Sequence, residues 1–393
     1  MRPPVLRTAL LRSVPWLAAP LALTAACGPG ETACARAPGI ACVWAGTGDL
    51  AFDGDGRDRR EASFYWPLDI EFAPDGTGYV IDWNNHVVRH VLADGIVETV
   101  VGGVPAFPGD GPPDGADLMA PGAPGTTVLL NHPTDIQFEP DGTMLLMAWH
   151  NHKLRVWDPA TKLAFVQGGR GGGFDGDGDP IGMVRFNQPK ALVRAPDGTL
   201  FVLDQRNQRI RKIAPDGVVT TVAGTGEAGF AGDGGPPAMA QLRFEAGGNP
   251  EPSGALALDA DGRLYVSDGK NHRLRRIDFV ADTIETIAGT GTAGFSGDGG
   301  PAVDAAIDDV RDLEFGPDGL LYVADTGNHR IRVIDLATGL ITTIAGGAAV
   351  DAMRDGVSPA ELTFNRPAGI GFGPDGALYI ADTLHSRIVE VPR

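Results

Sequence analysis

Short apolar runs separated by turn signals extend along most of the chain, and residues 313–346 show the pattern most clearly. Pro317-Asp318-Gly319 and the segment from Asp325 to Asn328 carry the residue types typical of tight turns. The alternation has a period of two and lacks helical periodicity, so it predicts four short antiparallel strands. The four runs, which are rich in β-forming residues, occupy 313–315, 320–324, 331–335 and 340–344.

The four-strand unit recurs six times. The first turn of every copy carries an aspartate, and these residues are Asp75, Asp141, Asp197, Asp261, Asp318 and Asp375. A second anchor follows seven residues later, at Asp82, Ala148, Asp204, Asp268, Asp325 and Asp382. Because a four-stranded unit buries neither face alone, such repeats stack around an axis. The sequence therefore predicts an all-β fold, a six-bladed β-propeller with four antiparallel strands per blade.

The two ends of the predicted propeller complement each other. The sixth repeat stops after its third strand, near Val391, and lacks a fourth. The segment 40–46 precedes the first repeat and resembles 341–346, the last strand of the fifth repeat. We expect this N-terminal strand to complete the last blade and close the ring, which removes an open sheet edge. The predicted propeller domain spans residues 40–393.

Residues 1–26 have the features of a secretory signal peptide. Three arginines precede the apolar run 14–26, which ends in small residues and is too short to span a membrane. Residues 23–27 resemble the bacterial lipobox, although Thr24 stands where leucine is commoner. The resemblance implies cleavage before Cys27 and lipidation of that cysteine, with 27–39 as a linker. Ordinary signal cleavage is the alternative.

The cysteine count agrees with an exported lipoprotein. Lipidation of Cys27 leaves Cys34 and Cys42, and an oxidising compartment allows these two to form a disulfide. Two unpaired thiols are the alternative. The predicted location is the bacterial cell envelope, with the protein exported and lipid-anchored, in the periplasm or on the outer-membrane surface.

The chain is strongly acidic, with 32 basic and 50 acidic residues and a net charge of −18. Removal of the signal takes away three arginines and no acids, so the net charge becomes −21. A surface of this sign repels nucleic acid and anionic lipid headgroups. We therefore expect no nucleic-acid partner, membrane contact only through the N-terminal lipid anchor, and a monomer.

Two glycine-rich motifs recur in most repeats, so they are better explained as structure than as chemistry. The patterns at 224–229 and 289–294 match the dinucleotide fingerprint but lack a following helix, so we reject nucleotide binding. We interpret Phe-x-Gly-Asp-Gly as a turn whose phenylalanine packs between blades. It starts at Phe52, Phe107, Phe174, Phe230 and Phe295. A non-EF-hand calcium loop at Asp175, Asp177 and Asp179 is the alternative for the third copy.

Histidines also recur at one position of the repeat, after the second strand. They are His86, His152, His272 and His329. Equivalent positions in different blades lie apart on a ring and cannot form one metal site, so we interpret these histidines as turn packing.

The best repeats resemble the NHL family. The resemblance rests on Tyr322 to Arg332 and on Thr342 to Gly346, and it extends over about residues 40–393. The second copy departs at Ala148, and the sixth has His385 in place of asparagine. The resemblance implies a six-bladed propeller that acts mostly as a binding platform. Similar propellers also include lyases and metal-dependent lactonases.

The inner strands carry the departures from symmetry that we consider candidate ligand contacts. Near the predicted channel mouth, three blades place an aspartate where the others have alanine or glycine. The candidate ligand-binding residues are Asp69, Asp135, Lys190, Arg311 and Asp312. Clustered carboxylates favour a divalent cation, calcium or another, held by Asp69, Asp135 and Asp312. Pairing with Lys190 and Arg311, or capping of backbone amides, is the alternative.

These observations predict a binding or scaffold propeller for a protein or small-molecule partner, which contacts the face we call the top. The top face holds the turns at the seven-residue anchors and the connections between blades, and the Pro-Asp-Gly turns form the bottom. No cofactor is implied with certainty. The alternative is a lyase or hydrolase with a divalent metal at the channel mouth.

Overall fold

The computed structural model describes residues 34–103, 107–244, 251–348 and 355–393. Within them, six antiparallel sheets form the six blades of a β-propeller, which confirms the predicted fold. The predicted signal peptide and Cys27 lie outside the described residues. No helix in the described ranges has the length and apolar character needed to cross a membrane.

The strands follow the predicted spacing, and each blade begins at the central channel. Before the first blade, β1 is Cys42–Ala45 and β2 is Arg57–Asp58. Blade one contains β3 Pro67–Phe72, β4 Gly78–Asp82, β5 Val87–Val91 and β6 Ile96–Val101. After β7, Ala123–Pro124, blade two contains β8 Pro133–Phe138, β9 Met144–Ala148, β10 Lys153–Asp158 and β11 Leu163–Gly168. Blade three contains β12 Pro189–Arg194, β13 Leu200–Asp204, β14 Arg209–Ile213 and β15 Val219–Ala223.

The remaining blades repeat this order. Blade four contains β16 Leu256–Leu258, β17 Leu264–Asp268, β18 Arg273–Asp278 and β19 Thr283–Ala288. Blade five contains β20 Asp312–Phe315, β21 Leu321–Asp325, β22 Arg330–Asp335 and β23 Leu340–Gly346. Blade six contains β24 Pro367–Phe372, β25 Leu378–Asp382 and β26 Arg387–Val391, and β1 pairs with β26 as its outermost strand.

Three-residue 3₁₀ helices form the turns and connections. Five of them follow the second strand of a blade, at Trp83–Asn85, Gln205–Asn207, Gly269–Asn271, Thr326–Asn328 and Thr383–His385. Five others lie between blades, at Gly125–Thr127, Ile181–Met183, Pro237–Met239, Ala302–Asp304 and Pro359–Glu361. The first group brings the repeated Asn and His side chains to the top face.

Every blade contains a fully buried arginine on its third strand. These residues are Arg89, Arg155, Arg211, Arg275, Arg332 and Arg387. In five blades the anchor aspartate at the end of the second strand lies 2.9–3.5 Å from the guanidinium. The aspartate of Phe-x-Gly-Asp-Gly supplies a second carboxylate in five blades, at Asp55, Asp110, Asp177, Asp233 and Asp298.

At four of the five copies of this motif the phenylalanine stacks on an arginine, where we expected it to pack between blades. Phe174, for example, is 37% exposed, and the Arg209 guanidinium lies 4.0 Å from its ring centroid. The same stacking occurs at Phe52, Phe230 and Phe295. The motif is therefore a structural turn around the buried guanidinium, and the face of its phenylalanine ring attracts the positively charged arginines.

Blade two solves the same problem with different residues. Ala148 replaces the anchor aspartate, and the buried Asp117, from the long connection before the blade, contacts Arg155 instead. Asn151 accepts the hydrogen bond from the Asn131 amide, at 2.8 Å, that the anchor aspartate accepts in other blades. In blade two the carboxylate partner of the buried guanidinium therefore comes from the connection before the blade and not from the anchor position.

The inner-strand aspartates join neighbouring blades. Asp135 accepts a hydrogen bond from the Leu192 amide of the next blade, and Asp312 accepts one from the Ile370 amide, each at 2.8 Å. Asp69 likewise interacts with the Ile136 amide. These contacts correspond to the backbone-capping alternative, and they place three carboxyl groups around one channel.

Two glutamates, Glu71 and Glu314, lie one step deeper along the same strands, and the three aspartates interact with the amine of Lys190. Burial, reinforced by Asp312, raises the pKa of Asp69 to about 7. Burial also raises the pKa of Glu314 to about 8 and the pKa values of Glu71, Asp135 and Asp312 above their ordinary range. Removing carboxylates from water disfavours their charged form, which explains these shifts.

We predict that substitution of Asp117 destabilises the fold. Asp117→Asn leaves the buried Arg155 without its buried partner, so the free energy of unfolding should fall by about 3 kcal/mol. Urea unfolding followed by circular dichroism measures this loss. Asp114→Asn is the matched control, because it makes the same change at an exposed residue of the same connection. Equal effects of the two substitutions would contradict the assigned role.

We also predict that the channel acids make stability depend on pH. The pKa of Asp69 is raised in the folded state, so its favourable contribution is complete below about pH 3.9, the unfolded value, and is lost as the pH rises to about 7. Asp69→Asn should therefore reduce the loss of stability between pH 5 and pH 8 by at least about 1.4 kcal/mol, the value of one pKa unit.

The measurement is the difference between the unfolding free energies of wild type and variant at each pH, which cancels the contribution of the histidines. Asp216→Asn, at an exposed bottom turn, is the control and should leave the pH profile unchanged. Parallel profiles of wild type and Asp69→Asn would show that this carboxyl group does not titrate as described.

Candidate functional site

A ring of side chains with one shared backbone conformation surrounds the channel mouth on the top face. In five blades the residue directly before the one that opens the inner strand, or before the equivalent Val310 in blade five, has a left-handed φ of 47° to 60°. We call these residues the top ring, and they are Trp66, His132, Gln188, Asp309 and Arg366. This conformation is uncommon for residues other than glycine and asparagine, and it persists only where the surroundings impose it.

In three of the five blades, a histidine in the turn of the preceding blade holds this backbone through a hydrogen bond. The His132 amide donates to His86 Nδ1 at 3.1 Å, the Gln188 amide to His152 Nδ1 at 2.9 Å, and the Arg366 amide to His329 Nδ1 at 3.1 Å. The repeated histidines are therefore contacts between blades, in agreement with the turn-packing interpretation. The frame fixes the backbone of the top ring and leaves its side chains free to differ.

Blade four departs from this arrangement. The Phe244 amide makes the equivalent hydrogen bond, to Gln208 Oε1 at 2.9 Å, but the Phe244 side chain is fully buried. Eleven residues separate Phe244 from the inner strand β16, and this longer connection brings Glu251 to the mouth. There Glu251 pairs with Arg311 and, at 3.1 Å, with Arg366.

Aromatic rings line one side of the mouth. Ring centroids of neighbouring members lie 4.1–6.1 Å apart, and every member except the buried Trp149 is partly exposed. We call this group the aromatic arc, and in order of contact it consists of Tyr65, Trp66, Trp83, His132, His150 and Trp149. The arc offers a continuous π surface across blades one and two.

The histidines of this region are neutral at neutral pH. His132 Nδ1 lies 2.9 Å from His150 Nδ1 and 2.8 Å from Asn131 Oδ1. Burial, together with the neighbouring imidazoles, lowers the pKa of His132 to about 3 and that of His86 to about 4. Burial and nearby His152 lower the pKa of His150 to about 4. The aromatic arc therefore carries no positive charge under ordinary conditions.

Charged side chains occupy the other side of the mouth. Asp309 accepts hydrogen bonds from Lys270 at 3.0 Å, Arg311 at 2.9 Å and Arg366 at 2.8 Å. Burial alone would raise the pKa of Asp309, but these cations lower it to about 2. With Glu251 these four residues form what we call the charged arc, in which each cation has a carboxylate partner.

The structure brings the predicted ligand-binding residues together around the channel. Lys190 is buried, and its amine donates to the Arg311 carbonyl oxygen at 2.7 Å, while the Arg311 guanidinium belongs to the charged arc. Asp69, Asp135 and Asp312 lie beneath the mouth and bond to backbone amides, as described above. The predicted site is therefore a cluster whose polar groups already have partners within the protein.

The geometry does not gather the three aspartates into a set of metal ligands. Within the described ranges, the side chains whose ligand atoms all lie within 4.8 Å of one another are Cys34, Cys42 and Asp355. Cys34 and Cys42 form the predicted disulfide. A divalent cation at Asp69, Asp135 and Asp312 stays a prediction.

The aspartates that follow Phe174 have separate partners. Asp177 pairs with the buried Arg211 at 3.1 Å and accepts a hydrogen bond from the Thr221 hydroxyl at 2.9 Å. Asp175 lies 3.5 Å from Arg185, and the Asp179 carbonyl oxygen accepts from the Val219 amide. Asp177 therefore fills the same role as its counterparts in other blades, and calcium at these residues stays a prediction.

The sequence analysis missed the top ring. Its members stand immediately before Pro67, Pro133, Pro189, Val310 and Pro367, whereas the analysis compared only the positions after them. The sequence does show that residue types vary at this repeat position, which carries Trp, His, Gln, Asp and Arg, but it does not show their shared backbone conformation.

The repeat also relates this chain to known proteins. The NHL repeat model matches residues 310–334. The chain is 28% identical over 295 residues to Protein SUPPRESSOR OF QUENCHING 1, chloroplastic, of Arabidopsis thaliana, which covers 71% of the chain and 26% of that protein. It is 28% identical over 327 residues to NHL repeat-containing protein 2 of Bos taurus, which covers 75% of the chain and 42% of that protein. The chain thus spans less than half the length of both relatives.

Two solved structures from Bacteroides thetaiotaomicron share the fold. One, a structural genomics protein of unknown function, has a TM-score of 0.65 and 19% identity. The other, an auxiliary nutrient binding protein, has a TM-score of 0.63 and 15% identity. Each match covers 89% of this chain and 75% of the other. Together, the matched repeat and the NHL-repeat relatives support the assignment of this chain to the NHL β-propellers.

Proposed function

We propose that the protein is an exported, lipid-anchored binding propeller that holds a protein or small-molecule partner on its top ring. The observation that carries this proposal is the top ring itself, in which one imposed backbone conformation presents five different side chains around one opening. Positions that only hold the backbone need no variety of side chains, whereas recognition of a partner requires different side chains around the opening. The fold is also that of a protein described as an auxiliary nutrient binding protein, which agrees with a role in binding.

A metal-dependent lyase or hydrolase is the weaker proposal. It requires open carboxylates at the mouth, whereas Asp135 and Asp312 each accept a backbone hydrogen bond from the next blade at 2.8 Å. The neutral pair His132 and His150 has the residue type of a general base but lacks an acidic partner at either Nδ1 among the described contacts.

The described start of the chain favours one orientation relative to a membrane. Cys34 is bonded to Cys42, at the bottom end of the outermost strand of blade six. Arg36 donates to Glu390 at 2.7 Å and to Asp375, in a bottom turn, at 2.8 Å. The linker therefore leaves the propeller at its bottom, and an anchor at Cys27 would direct the top ring away from the lipid surface.

We predict that the bottom face of the lipidated protein lies nearer to the bilayer. A donor dye on Asp197→Cys, in a bottom turn, should transfer energy to acceptor-labelled lipids more efficiently than a dye on Arg206→Cys, at the top. Both positions are exposed, so labelling is matched, and Cys27→Ala, which prevents lipidation, should abolish transfer from both. More efficient transfer from the top dye would refute the orientation.

We predict that ligands which stabilise the protein do so through the top ring. A thermal-shift screen of amino acids, oligosaccharides, nucleotides and amines should yield a compound that stabilises the wild type, by about 2.7 kcal/mol at one hundred times its Kd. Trp66→Ala should abolish that shift.

Phe279→Ala, at a bottom residue that is 37% exposed, is the matched control and should leave the shift intact. A shift that survives Trp66→Ala and a second ring substitution, His132→Ala, would place binding elsewhere and contradict the proposed function.

A further inference from the structure

We propose that the ligand of the top ring is a compact organic cation, an alkylammonium or quaternary ammonium compound. This inference rests on the proposed function and adds the chemical class of the ligand. Three features of the mouth point to it, namely an excess of buried acids, exposed aromatic faces and a buried acceptor without a partner.

The acids beneath the mouth lack cations. Five carboxyl groups, those of Asp69, Glu71, Asp135, Asp312 and Glu314, line the channel with the single amine of Lys190. That amine donates to a carbonyl oxygen at 2.7 Å as well. With Lys190 as the described counter-cation, burial still favours the protonated form of these acids, as their raised pKa values indicate. An ammonium group at the mouth would supply the missing positive charge and release part of those protons.

The aromatic arc offers the second feature. Trp66 and Trp83 are partly exposed, and their rings are stacked with centroids 6.1 Å apart. Trp66 stands three residues before Asp69, at the start of the same inner strand. An indole face attracts cations more strongly than the other aromatic side chains do, and this attraction is the means by which aromatic sites recognise quaternary ammonium groups.

Gln188 provides an independent third feature. This member of the top ring is 5% exposed, and its Oε1 atom is buried without a hydrogen-bond partner in the protein. A buried acceptor that lacks a partner is costly, so such atoms in native proteins call for an explanation. Gln188 lies two residues before Lys190. A ligand that donates a hydrogen bond would satisfy this atom. An alkylammonium group can do so through an N–H, and choline can do so through its hydroxyl group.

The positive groups at the mouth do not favour an anion instead. Lys270, Arg311 and Arg366 all contact Asp309, and the two arginines also contact Glu251. The histidines of the aromatic arc are neutral. The cations of the charged arc are therefore already paired, and acids are in excess beneath the mouth, in a chain whose net charge is −18.

Choline and its neutral isostere 3,3-dimethyl-1-butanol test the inference, because the two compounds have nearly the same shape and differ in charge. We expect ligand-observed NMR titrations at pH 7.5 to show binding of choline and at least tenfold weaker binding of the alcohol. Trp66→Ala should weaken choline binding about fivefold through loss of the cation–π contact. Asp69→Asn should weaken choline binding at least tenfold. If Asp69→Asn fails to fold, Gln188→Leu, which removes only the buried acceptor, should also weaken choline binding.

Each outcome decides between the inference and the proposed function. Equal affinity for choline and the alcohol would refute the cationic class while leaving the top ring as the site. If choline does not bind but the screen yields a compound whose thermal shift depends on Trp66, the cationic class is likewise refuted and the top ring remains the site. Choline binding that is unchanged in Trp66→Ala and Gln188→Leu, and also in Phe279→Ala, would overturn the inference by placing the compound away from the top ring.

Discussion

The fold depends on a guanidinium group buried inside every blade. Arginine stays charged at any physiological pH, so a fully buried arginine needs carboxylates and hydrogen-bond acceptors around it. Arg332 shows the complete arrangement, with Asp325 at 3.3 Å, Asp298 at 2.7 Å and the Ser296 carbonyl oxygen at 2.9 Å. The second strand, the third strand and the connection that precedes the blade therefore meet at one charge. This requirement explains why the Asp, Arg and Phe-x-Gly-Asp-Gly positions recur, with the anchor aspartate seven residues before the buried arginine in blades one, three, four and five.

Blade two shows that the charge, and not the sequence position, is what the fold requires. Ala148 removes one carboxylate, and Asp117 restores it from a part of the chain that has no counterpart in the other repeats. A buried charge without a partner lowers the stability of the fold far more than a typical substitution on the surface does. The long connection before blade two is therefore part of the frame, through Asp117 as well as through its copy of the Phe-x-Gly-Asp-Gly motif.

The sequence was sufficient for the repeat, the strands and the Cys34–Cys42 disulfide, because turn residues, period-two alternation and cysteine count are local signals. It was not sufficient for Asp117, whose partner lies 38 residues away and whose neighbours give no hint of burial. Phe174 was misjudged for a related reason, since an aromatic residue beside glycines suggests a core position but here covers a guanidinium. The top ring escaped notice because a left-handed backbone at Trp66 or Arg366 leaves no mark in the residue type. Only the hydrogen bonds from the preceding blade reveal it.

The contact between blades also explains how the mouth can keep its shape while its chemistry varies. His86, His152 and His329 each accept a ring-residue amide at Nδ1, which requires that nitrogen to be unprotonated. Burial lowers the pKa of all three, to about 4 for His86, so the acceptor persists through the neutral range. Gln208 makes the same contact in blade three with an oxygen that does not titrate. The backbone at His132, Gln188 and Arg366 is thus held by interactions that are insensitive to ordinary changes of pH, and the side chains presented there can change without altering the frame.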